Sequence, residues 1–148
     1  MTKDGSTPNP DPAPPMKRLL IVSAVIELGA GLALMCVPAA AAVLLLRSPL
    51  ESSAVITLAR VAGAALLALG VACWLASTDV GSRAARGVVM AMTVYNLGAV
   101  VVLGLVGIQS PPVGVALWPA VVLHVIMTSW CVKALRKKPT QIDADLTP

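Results

Sequence analysis

The sequence predicts an all-α protein: a four-transmembrane-helix bundle behind a disordered, Pro-rich N-terminal tail. Three observations carry this. Of the 148 residues, 57% are hydrophobic and only 12% are charged, against about 25% charged in an ordinary soluble domain. The apolar residues gather in four runs, each close to the roughly 20 residues that a helix needs to cross a bilayer. Each run holds one polar or ionisable group well inside it: Glu27, Arg60, Asn96 and His124. A charge near the centre of a span costs roughly 2.5–3.5 kcal/mol on insertion scales, so such groups persist mainly where they find partners.

Residues 1–15 place Pro8, Pro10, Pro12, Pro14 and Pro15 among Thr, Asn and Asp. That segment cannot bury apolar area and reads as disordered or extended. The membrane domain is expected over 16–138. Its first span covers about 19–37 and meets Pro38, where the helix either kinks and continues or gives way to a short interfacial segment. This run is too long for a cleaved signal peptide and contains Glu27. Arg47 to Ser53 forms a loop, and the second span covers about 54–76. A polar turn containing Asp79 and Gly81 leads to the third span, about 84–108. Pro111 and Pro112 mark a tight turn before the fourth, about 113–135. Residues 139–148 read as a short flexible tail.

Orientation follows from the basic residues. Lys3, Lys17, Arg18, Arg83, Arg86, Lys133, Arg136, Lys137 and Lys138 fall on one side of such a bundle, and Arg47 alone falls on the other. Both termini are therefore expected in the cytoplasm, with the chain integral to the plasma (inner) membrane of a bacterium. The formal charge of +4 does not indicate nucleic acid, because the cations flank the apolar runs and suit anionic lipid. With aromatics at 3% and no Phe, base-stacking platforms are absent too. Cys36, Cys73 and Cys131 form no C-x-x-C pair and read as free thiols.

Depth and periodicity bring the polar groups together. At 1.5 Å per residue, Glu27 lies about 12 Å from the inner end of its span and Arg60 about 9 Å from the outer end. In a core about 30 Å thick their backbones differ by roughly 9 Å in height, which a long Arg side chain can largely close. His124 and Asn96 come near the midplane. Ser23 and Gly31 share the face of Glu27; Thr57 and Ala64 that of Arg60; Thr93 that of Asn96; Thr128 and Cys131 that of His124. These spacings put most small and polar residues of each span on one stripe, and the four stripes are expected to meet at the bundle centre.

Two readings remain open for Glu27 and Arg60: a buried ion pair that sets helix register, or a proton- or ligand-responsive site. Asn96 suits an interhelical hydrogen bond. His124 fits a core residue, a proton relay or a quinone-headgroup contact. As the sole histidine it cannot form a bis-His haem site, and no metal site is expected. Tyr95, Trp74, Trp118 and Trp130 read as interface anchors or packing residues. Ala59 with Gly63, and Gly87 with Ala91, are small pairs that permit close helix contact. No Gly-rich phosphate loop, H-E-x-x-H or G-x-S-x-G motif is present, so no catalytic residue is assigned.

The stretch Leu58 to Gly70 (LARVAGAALLALG) resembles the second span of DoxX-like small membrane proteins, which have an Arg near the outer end followed by Gly and an L-x-L-G segment. Pro38 and the four-helix length fit the same layout. The resemblance implies a small membrane accessory or scaffold subunit, in some members linked to quinone-dependent redox complexes. It points to Arg60 as a structural or functional centre. Ala24 to Gly29 (AVIELG) is similar to the first span of small multidrug resistance exporters, whose Glu exchanges protons for cationic drugs. That implies the alternative, a proton-coupled transporter acting as a homo-oligomer with Glu27 as proton carrier. An Arg beside the Glu would oppose it, by repelling a cation. Either way the expected surroundings are the lipid bilayer and membrane-protein partners.

Overall fold

A computed structural model of the chain describes residues 15–49 and 52–136, whose regular structure is entirely helical, with no strand. The tails expected over 1–15 and 139–148 lie outside the described residues, except for Pro15. That residue is the first of α1 (Pro15–Cys36), a position where the missing N–H and fixed φ of proline suit a helix start.

The helix does not continue through Pro38. Val37 takes φ −134°, and Pro38 begins a separate nine-residue helix, α2 (Pro38–Leu46). At about 13 Å long, α2 is too short to span a bilayer. It ends at Arg47, which adopts a left-handed conformation (φ 56°) and donates its N–H to the Val43 carbonyl. The Ser52 hydroxyl caps α3 (Ser53–Ala76), accepting the Val55 N–H at 3.2 Å. The Ser82 hydroxyl caps α4 (Arg83–Gln109) in the same way through Ala85 at 3.0 Å. Such caps satisfy donors that a helix start would otherwise leave unpaired.

The last helix, α5 (Leu117–Arg136), starts later than the hydropathy places it. The cause is tertiary. Gly114 and Ala116 donate their N–H groups to the Leu45 and Leu44 carbonyls at 3.1 and 2.9 Å, supplying partners for the otherwise unpaired last turn of α2. A side chain at Gly114 would run into the Leu44 carbonyl, so this clasp requires glycine.

Four helices, α1, α3, α4 and α5, are long and apolar enough to cross a membrane. Their outer faces carry exposed Val25, Leu58, Val61, Val101, Ile108 and Ile126, a surface suited to hydrocarbon rather than water. They pack as two close pairs, α1 with α3 and α4 with α5. In the first pair Gly31 and Gly63 meet backbone to backbone: a Cβ on either would lie 2.8 Å from the other's carbonyl oxygen. One further stripe position, Gly70, seats Leu28. Gly63 of the expected Ala59/Gly63 pair is thus spent inside the chain. Gly87 touches nothing within 4 Å.

The two pairs are joined at one end by a core of Leu19, Leu20, Ala24, Cys73, Val89, Met92, Met127 and Cys131. All of these lie toward the start of α1. Toward the other end the pairs part, and the gap is roofed by α2.

Candidate functional site: a lateral chamber with a polar end

The gap is a chamber of about 780 Å³, within the range of small-molecule sites. Its walls come from α1 (Ala30, Ala33, Leu34), α2 (Ala41, Leu44), α4 (Gly98, Val102) and α5 (Ala120, Leu123). Small side chains on facing helices keep it open. Leu44, Val94 and Val102 line it and are also more than half exposed, so it opens sideways through the apolar face. Its polar groups are Glu27, Tyr95 and His124, gathered at the end nearest the core.

Glu27 is only 2% exposed, and its Oε2 is buried without a partner. Tyr95, from α4, lines the same end of the chamber. The Tyr95 ring stands edge-on to His124, with centroids 5.7 Å apart and planes at 81°. His124 Nδ1 lies 2.8 Å from Asn96 Oδ1, and Asn96 Nδ2 donates to the Met92 carbonyl at 2.8 Å. With its amide nitrogen committed, Asn96 presents an acceptor, so Nδ1 of His124 carries the hydrogen. The neutral imidazole then offers Nε2 as an acceptor. Tyr95, His124 and Asn96 adjoin one another across α4 and α5, and Glu27 of α1 lines the same polar end of the chamber.

Three of the four sequence-predicted centres therefore meet: Glu27, Asn96 and His124. Arg60 does not join them. It is exposed on α3, so the expected convergence of four stripes is corrected to three, and the Glu27–Arg60 ion pair is not formed. The smallest residues of that stripe explain the difference. Gly63 is drawn against α1, and Arg60, three residues away, projects about 60° off that contact line. From there a long side chain can reach the interface.

The secondary residues have mostly local roles. Thr57, Thr93 and Thr128 donate to the carbonyls of Ser53, Val89 and His124, each four residues back, at 2.8–2.9 Å. Ser23 is different: it is 1% exposed and its hydroxyl, one turn before Glu27, has no partner. Cys36, Cys73 and Cys131 are free thiols, the last two fully buried.

Tyr95 packs against the shared core, one of the two roles its sequence position suggested, and it also lines the chamber, which sequence reasoning missed. The signal was its position beside Asn96 in mid-span, since a phenol in hydrocarbon needs a partner. The wall formed by α2 had no sequence signal beyond Pro38.

The class that fold and site define is a helical bundle with four helices able to span a membrane and one polar-ended apolar chamber. No protein-family model matches the chain, and neither a curated protein nor a solved structure matches it.

Proposed function

We propose that this is a small protein of the bacterial plasma membrane, with both termini in the cytoplasm, whose chamber receives the head of a membrane-soluble small molecule of the quinone class. In this reading it serves as an accessory subunit of a redox complex, as its DoxX-like second span suggests. The observation that carries the proposal is the buried Oε2 of Glu27, unpartnered at the end of an apolar chamber. An unpaired buried polar atom is costly, and a ligand with a hydrogen-bonding head would satisfy it. Tyr95 donates to a quinone carbonyl, His124 Nε2 accepts from a quinol hydroxyl, and Oε2 accepts as carboxylate or donates as acid. The lateral opening suits a ligand that arrives through the bilayer.

The second reading, proton-coupled transport, gains from one observation. Arg60 is exposed on α3, so among the described residues no cation lines the chamber beside Glu27 to repel a lipophilic cation.

One binding assay separates the two. Purified protein in mild detergent is titrated with a short-chain quinone and, separately, with a lipophilic quaternary amine. Quinone binding that falls about tenfold or more in both Tyr95→Phe and Glu27→Gln, in folded protein, is the expected result. Amine binding that releases a proton and vanishes in Glu27→Gln, with no quinone binding, favours the transporter. Binding of neither ligand removes both readings.

A further inference from the structure

A second cleft lies at the opposite end of the bundle, remote from the chamber. The start of α4 and the end of α5 enclose about 530 Å³ between Arg83, Arg86, Gly87, Met90 and Leu135. Arg86 donates from Nη2 to the Leu135 carbonyl at 3.3 Å. That bond ties α4 to α5 and holds the guanidinium on the cleft wall, its other N–H groups making no hydrogen bond among the described residues. Arg83 lies three residues earlier, on the same side of the helix. At Gly87 the floor is open, with nothing within 4 Å of where a Cβ would stand. Below the arginines the lining turns apolar: Met90 is 60% exposed, and Leu135 is half-buried. The acidic residues among the described ones are Glu27, buried at the chamber, and Asp79, in the α3–α4 turn; neither lines the cleft.

We propose that this cleft binds an anionic phospholipid, its phosphate on Arg83 and Arg86 and the upper part of an acyl chain along Met90 and Leu135. Charge complementarity selects the anion, since a guanidinium pair matches phosphate oxygens in geometry as well as charge. The apolar lower wall selects lipid over a soluble phosphate, which gains nothing from Met90. Basic groups at a span end favour anionic headgroups in general. The cleft adds a shaped seat that an unstructured cluster of cations lacks. The site is independent of what the chamber binds.

The test uses the full chain in a neutral detergent, with bound lipid counted by native mass spectrometry. Phosphatidylglycerol, phosphatidylcholine with the same acyl chains, and inorganic phosphate are compared. Phosphatidylglycerol is expected to bind at least about tenfold more tightly than the other two. Gly87→Leu puts an apolar side chain into the cleft without altering charge, and its Cβ has nothing within 4 Å, so it should keep the fold and lose the lipid. Arg83→Gln should weaken binding several-fold, and Gly87→Ala should do so less. Undiminished binding in Gly87→Leu would mean diffuse attraction to surface charge and overturns the site. Equal binding of inorganic phosphate or phosphatidylcholine overturns the assigned ligand.

Discussion

At the scale of residues, two kinds of intramembrane polar group occur in this chain. Asn96 and His124 satisfy each other across α4 and α5, with the Met92 carbonyl completing the set. Glu27 and Ser23 instead keep buried oxygens without partners. The first kind holds helices together; of the second, Glu27 lines the chamber and is available to a ligand. Stability measurements distinguish Glu27 from a member of an ion pair. Removing one partner of a buried pair is strongly destabilising, whereas replacing an unpartnered polar group by an apolar one of similar size is close to neutral or stabilising. Glu27→Leu is therefore expected to leave unfolding in mixed micelles unchanged or shifted upward by about 1 kcal/mol. Arg60→Leu should act independently of it, so that the double mutant is additive within about 0.5 kcal/mol. A coupling of several kcal/mol in that cycle would restore the pair that the structure separates.

At the scale of elements, hydropathy marks each span but not what the intervening segments do. The run after Pro38 is as apolar as the spans, yet forms a nine-residue helix that closes the chamber. It is held there through the carbonyls of Leu44 and Leu45, which receive N–H groups from Gly114 and Ala116. The same clasp delays the start of α5 to Leu117, because N–H groups given to α2 lie in an extended turn and not in a helix. A Cβ at position 114 would collide with the Leu44 carbonyl. Gly114→Ala should then loosen α2, lower the unfolding midpoint, and weaken chamber binding about as much as loss of a polar contact, although it touches no polar group of the site. Binding and midpoint both unchanged would show that α2 does not depend on the clasp.

At the scale of the whole molecule, the four spans make two close pairs that share a core at one end and enclose a chamber at the other. Small residues produce both features: Gly31, Gly63 and Gly70 bring α1 and α3 together, and Ala30, Ala33, Gly98 and Ala120 leave the facing pairs apart. The three thiols report on this arrangement. Cys73 and Cys131 sit at 0% exposure in the shared core, while Cys36 is exposed at the end of α1. In mild detergent a maleimide should modify one thiol quickly, and all three only after unfolding in SDS, as read by intact mass. Labelling of Cys73 or Cys131 at the rate of Cys36 would mean that the pairs do not share a closed core.

The sequence by itself determined the all-α class, the four helices of spanning length, and the stripes that carry Glu27, Asn96 and His124. Those properties depend on composition, helical rise and a period of 3.6, all of which are local. Tertiary structure alone decided that Arg60 faces outward, that Tyr95 turns inward between Glu27 and His124, and that α2 walls a chamber. The reason is that lipid is as apolar as a protein core. In water, apolarity separates inside from outside; in a bilayer it does not. The rotational phase of each helix is then set by contacts such as Gly31 on Gly63, which no single span reveals.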